Sequence, residues 1–162
     1  MPKSNIIGGE GNGFTVAMKA LDGGRINIAT CSVGGAAFCI DAAKQYTQER
    51  SQFGKPISDF QYSQFKLADM ATSVQASRLM VDRAARSFDE GLSTTTVDAA
   101  MAKRFATDTC YTVANDALQM FGGYGYLKEY PIERYVRDLR VHTILEGTNE
   151  IMRLIISRNI LK

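Results

Sequence analysis

The 162-residue chain has no tryptophan, one histidine (His142), three prolines and three cysteines. A single histidine argues against a His-based metal cluster or a Ser–His–Asp triad within the chain, so no metal site is expected. Cys31, Cys39 and Cys110 are odd in number and form no C-x-x-C pair. They read as neither a disulfide framework nor a zinc site, and they suit a reducing compartment. A basic excess is missing too: 19 Lys and Arg face 17 Asp and Glu, for a net charge of +2, which excludes a dedicated nucleic-acid binder. No apolar run reaches the roughly 18 residues of a membrane span. The opening MPKSNIIGGEGNGF lacks both the apolar stretch of a signal peptide and the Arg-rich pattern of a transit peptide.

The composition, 45% hydrophobic and 22% charged, is that of one globular domain able to bury a core and outweigh chain entropy. With few prolines and abundant alanine the chain leans helical. Ile26, Ala29, Val33, Ala36, Ile40 and Ala43 recur in steps of three and four and predict a helix ending near Arg50. Its small stripe residues let a neighbour approach closely. Phe53-Gly54-Lys55-Pro56 reads as a loop. A second helix is expected from Ser58, which has capping-box spacing to Gln61. Its stripe is Leu67, Met70, Val74, Ser77, Val81, Ala84 and Phe88, and Gly91 ends it. The third starts at Thr95, with Asp98 placed for the helix dipole. Ala99, Ala102, Ala106, Cys110, Val113, Ala117 and Met120 form its stripe, and it stops at Gly122-Gly123. A short helix follows Pro131 over 132–140. The last, 148–161, is apolar on most sides and is expected to be buried on several of them. The fold class is all-α, an antiparallel up-down helical bundle.

Candidate chemistry sits in four places. Gly8 to Gly13 could suggest a phosphate loop, but no strand precedes it and the G-x-G-x-x-G spacing is wrong, so it reads as a turn or connection. Gly122-Gly123 is either a helix C-cap or a place where bare backbone lies against a flat ligand. Arg50 and Lys55 flank a tight turn that is either a solvated loop or a phosphate clamp. Glu146 either precedes the Thr148 N-cap, favoured by the dipole, or is a general base. Ile144, Leu145 and Gly147 would desolvate its carboxylate while the helix N-terminus opposes that effect. His142 reads as structural.

Four motifs occur in fixed order: R-x-x-F-G-K-P (Arg50–Pro56), Q-M-F-G-G-Y-G-Y (Gln119–Tyr126), R-Y-V-R-D-x-R (Arg134–Arg140) and I-L-E-G-T-N-E-I (Ile144–Ile151). Together with Gly8–Phe14 they resemble the C-terminal part of the acyl-CoA dehydrogenase family over nearly the whole chain. Leu21–Ile26, Leu67–Ala71 and Tyr135–Gly147 are most similar to its short-branched-chain members. The resemblance implies an FAD-dependent oxidation of an acyl-CoA to the 2,3-enoyl-CoA. Glu146 would be the base that takes the C2 proton, and the hydride from C3 would go to flavin N5.

It further implies that Arg50, Gln52, Gln119, Met120, Phe121, Gly122 and Gly123 contact the FAD of a neighbouring subunit, and that Gln61 is another FAD contact. Thr148 and Glu150 would contact the subunit's own FAD, and Asp22, Arg25 and Gly147 would line the acyl-CoA site. Phe60 stands where some members carry histidine. A homo-oligomer, a dimer of dimers, is implied, with electron-transfer flavoprotein as oxidant and the mitochondrial matrix as location. Residues 14–162 would be the C-terminal four-helix-bundle domain, and residues 1–13 a lead-in from an upstream β domain missing here. The chain is then expected to be a fragment or natural truncation, inactive alone. The competing expectation is a non-catalytic helical oligomerisation or interaction module that keeps the family's packing.

Overall fold

The computed structural model describes residues 2–162; Met1, the first residue of the expected lead-in, lies outside it. Three long helices, α1 (Gly13–Glu49), α2 (Gln61–Asp89) and α3 (Thr95–Phe121), precede two short ones, α4 (Ile132–His142) and α5 (Asn149–Ile160). The helix α3 packs against all the others, and α1 also meets α2 and α4. Short connections make sequential helices antiparallel neighbours, and the class is all-α as expected.

The small-residue stripes form the core. Ala29, Ala36, Cys39 and Ala43 of α1 are fully buried, as are Ala99, Ala102, Ala106, Cys110 and Ala117 of α3. Alanine faces let the two backbones approach, and long side chains from α2 and α4, Met70 and Leu139, fill the flanks. Helix α1 runs further than its stripe suggests. Its first turns, from Gly13 to Ala20, are exposed throughout. By length and mean hydropathy alone, α1 contains a stretch apolar enough to cross a membrane. Its buried side packs on the bundle, which is how the core helix of a globular domain passes the same test.

Three other expectations are corrected. The segment after α1 is a β-hairpin, not merely a loop: Ser51–Gln52 (β1) pairs antiparallel with Lys55–Pro56 (β2). Phe53 and Gly54, at φ 53° and 81°, make the left-handed two-residue turn that suits strand twist. The proposed cap of α2 by Ser58 does not form. A 3-10 turn occupies Ile57–Asp59, the extended Phe60 is the N-cap without a side-chain bond, and the helix begins at Gln61. Lys55 Nζ lies 4.3 Å from the Phe60 ring centre, which fastens the hairpin to this start. The third correction concerns α5. Only Asn149 and Met152 are buried on it, while Ile151, Leu154 and Ile160 are exposed.

Cys31 is exposed, whereas Cys39 and Cys110 are buried free thiols. Burial pushes their pKa up to about 12 and about 11. In the native chain one thiol is expected to react with a chromogenic disulfide reagent, and three after denaturation. Three fast-reacting native thiols would contradict this packing.

Candidate active site

The turn between α4 and α5 is held from both sides. Glu146 and Gly147 adopt left-handed backbone at φ 55° and 89°, a conformation that glycine accepts freely and glutamate rarely adopts. The half-buried Glu146 side chain runs back onto α1 and rests on Gly24. An added Cβ there would fall 2.7 Å from its carboxyl carbon.

Beside it lies the buried pair Asp22–Arg25, joined at 2.8 Å. Thr96 Oγ1 donates to the other Asp22 oxygen at 2.7 Å. Arg25 Nε donates to the Glu146 carbonyl at 3.4 Å. The backbone N–H of Glu146 donates to no backbone carbonyl among the described residues. Sequence reasoning had assigned Asp22, Arg25, Glu146 and Gly147 to one place, and the structure joins Arg25, paired with Asp22, to the Glu146–Gly147 turn through a bond that spans 121 positions.

The other side of the turn contains residues that sequence reasoning missed. Lys103 of α3 is completely buried. Its Nζ donates to the Gly147 carbonyl and to Asn149 Oδ1, both at 2.8 Å. Asn149 Nδ2 donates in turn to Thr107 Oγ1 at 2.9 Å and Asp108 Oδ1 at 2.7 Å. Burial pushes the Lys103 pKa down to about 8; Arg25 adds to the shift, while Asp108, Glu150 and Glu146 oppose it. One signal was available in sequence: position 103 follows Ala99 by four, on the apolar face, where a solvated lysine has no place.

Thr148 is the N-cap of α5. Glu150 is held below the usual carboxylate range by its own backbone N–H and then by the Thr148 hydroxyl. Both line an open recess of about 330 Å³ with Arg140 and Arg153. His142 is buried, its Nδ1 2.8 Å from Ser32 Oγ. Burial lowers its pKa, which fits the structural role.

A second group gathers at the far end of α1. Arg50, Gln52, Gln119, Met120, Phe121, Gly122 and Gly123 line one cleft of about 570 Å³ with Tyr46 and Tyr124. The Arg50 guanidinium lies 5.4 Å from the Tyr124 ring centre. Gly122 both caps α3, at φ 59°, and exposes bare backbone: at Gly122 and Gly123 an added Cβ would meet no atom within 4 Å. The two readings of these glycines are therefore compatible. Gln61, exposed at the start of α2, is not part of the cleft lining. A recess between α2 and α3, about 430 Å³, contains none of the assigned residues. There Arg83 is matched by Asp98 at 3.1 Å.

Residues 11–161 match the family model of the acyl-CoA dehydrogenase C-terminal domain. The chain is 56% identical over its whole length to mitochondrial isobutyryl-CoA dehydrogenase of Dictyostelium discoideum, and 54% to that of Bos taurus. It spans 39% of the length of each of these relatives. The structure superposes on butyryl-CoA dehydrogenase of Megasphaera elsdenii with a TM-score of 0.97 at 45% identity, covering 100% of this chain and 42% of that one.

Proposed function

The chain belongs to the acyl-CoA dehydrogenase family, and from that premise we propose that it supplies the catalytic base and part of the cofactor and thioester sites of an FAD-dependent oxidoreductase converting a short or branched acyl-CoA, such as isobutyryl-CoA, to its 2,3-enoyl-CoA. The observation that carries the reading is the strained Glu146, seated on Gly24 beside the buried Asp22–Arg25 pair. A carboxylate present only to favour the α5 dipole needs neither a left-handed backbone nor a glycine beneath it.

Glu146 takes the proton from C2 of the thioester. Its open backbone N–H donates to the thioester carbonyl oxygen, which gains negative charge as that proton leaves. Arg25, fixed by Asp22, holds the Glu146 carbonyl, and so the N–H and the carboxylate keep one relative placement. Gly147 leaves room for the substrate beside the base. Flavin, when bound, supplies the acceptor for the C3 hydride.

The cleft of Arg50, Gln52 and 119–123 fits the adenosine–pyrophosphate part of FAD. It combines a guanidinium for phosphate with backbone that carries no Cβ. Arg25 lies within α1 and Arg50 directly follows its last residue, a span of about 37 Å at 1.5 Å per residue. By family resemblance the cleft serves a second copy's cofactor while Thr148 and Glu150 face the chain's own, so the proposed assembly is a homo-oligomer, a dimer of dimers. Exposed Ile151, Leu154 and Ile160 are consistent with that. They would serve an interaction module equally, but such a module has no use for the arrangement around Glu146. Electron-transfer flavoprotein is the oxidant by family analogy. The names of the two isobutyryl-CoA dehydrogenase relatives support a mitochondrial location.

Flavin bleaching tests the reading. The FAD-loaded holoprotein is expected to lose flavin absorbance on adding isobutyryl-CoA or butyryl-CoA. Residues 1–162 alone with added FAD are expected to give none. A holoprotein inert to every short acyl-CoA overturns the function, and robust turnover by the 162 residues alone overturns their expected inactivity.

A further inference from the structure

The base turn is tied down by a cation that the proposed reaction does not use. Lys103 is fully buried, and among the described residues it pairs with no carboxylate within 4 Å. Its two acceptors are the Gly147 carbonyl and the Asn149 side-chain oxygen. A buried ammonium is costly without compensation. Helix stability does not explain this one, because Asn149 opens α5 and a cation at a helix N-terminus opposes the dipole.

What the contact does is local. Two left-handed residues in succession present two carbonyls. Arg25 of α1 takes that of Glu146, and Lys103 of α3 takes that of Gly147. Asn149 extends the tie to Thr107 and Asp108, so the turn is anchored to two long helices and to its own exit.

We propose that Lys103 is a positioning residue for the base: its buried ammonium bonds the Gly147 carbonyl to the Asn149 side chain, and so keeps Glu146 in the left-handed backbone that seats its carboxylate on Gly24. This rests on Glu146 being the base. Lys103 is fully buried, and it acts through the peptide that follows Glu146.

Charge matters to the tie, because ammonium bonds are stronger than those of a neutral amine. The charged and titratable groups facing Lys103 are Asp108 on its own helix, Arg25 on α1, His142 on α4, Glu146 in the turn and Glu150 on α5. With its pKa lowered to about 8, the ammonium is present below that pH and lost above it. Asp108 favours the charged form, so removing Asp108 moves the loss to lower pH.

The test is Lys103→Met in the FAD-loaded holoprotein, which keeps the length of the side chain and removes its charge. Turnover is expected to fall about 10- to 100-fold, the cost of displacing a reacting group by up to about 1 Å. The KM for acyl-CoA is expected to change little, because Thr96 and the ion pair itself hold Asp22 and Arg25 without Lys103. Wild-type kcat should decline above about pH 8, and the variant should lose that limb. Amide hydrogen exchange at Ile144, Leu145 and Asn149, whose N–H groups are bonded in the turn, should accelerate, a readout independent of activity.

If Lys103→Met does not fold, Asp108→Asn carries the test, with the alkaline limb expected to move down in pH. A Lys103→Met protein with kcat within twofold of wild type, the same limb and unchanged exchange at Ile144, Leu145 and Asn149 overturns the proposal. So does an Asp108→Asn protein whose limb stays in place. Near-wild-type turnover by Glu146→Gln overturns the base reading instead. It is told apart by exchange at Ile144, Leu145 and Asn149, whose N–H groups are bonded in the turn: Glu146→Gln leaves it at the wild-type rate and Lys103→Met does not.

Discussion

Glu146→Gln is expected to lower kcat of the FAD-loaded holoprotein by about 10⁴-fold, the upper end of what a positioned general base contributes, with FAD still bound. The amide keeps the shape of the side chain and its place on Gly24, but it cannot accept a proton. The backbone is untouched, so Arg25 and Lys103 still hold the two carbonyls, and acyl-CoA binding should change little. Stopped-flow flavin reduction measures the loss, and the bound-flavin spectrum reports the cofactor. A fall of less than tenfold would mean that another group takes the proton.

The second large effect comes from a methyl group placed under the base. Gly24→Ala puts a Cβ 2.7 Å from the Glu146 carboxyl carbon and 3.1 Å from Oε1. Those atoms are the free end of a flexible side chain, so the fold yields there and the carboxylate moves off. Displacement by about 1 Å costs about 10²-fold in rate. Stability should move the other way, because alanine is better than glycine inside a helix by about 0.5–1 kcal/mol. Gly34→Ala on the same helix, where the added Cβ meets no atom within 4 Å, is the control: a similar gain in stability with full activity. Urea denaturation and kcat together read the pair. If Gly24→Ala stays as active as Gly34→Ala, the carboxylate does not rest where the turn places it.

Both predictions depend on a contact between residues far apart in the chain, and this marks the limit of reading the sequence alone. The core stripes of α1 and α3 were legible because alanines at steps of three and four report their own helix face. The stop at Gly91 and the start at Thr95 are local chemistry, and both appear where expected. The start of α2 was misplaced because Pro56 and the Lys55–Phe60 contact delay it by three residues, which the Ser58–Gln61 spacing alone does not reveal. The hairpin was read as a loop because its two-residue strands carry no alternation to detect.

At the proposed site, motif resemblance named Glu146, Arg25 and Asp22 but not the residues that hold them. Gly24 reads as one more helical glycine until the turn folds onto it. Lys103 was hidden inside an alanine stripe, its importance set by a carbonyl 44 positions away. The apolar sides of α5 predicted burial that this single chain does not supply. In the proposed oligomer a second copy would cover them.

Deuterium uptake at C2 bears most directly on Glu146. A 3-thia acyl-CoA has sulfur in place of C3 and no hydride to give, so it isolates proton transfer from oxidation. In D₂O the wild-type holoprotein is expected to catalyse exchange at C2, and Glu146→Gln, with FAD and ligand bound equally well, is expected to show only the uncatalysed rate. Exchange by Glu146→Gln at the wild-type rate would contradict the assignment of position 146 as the base.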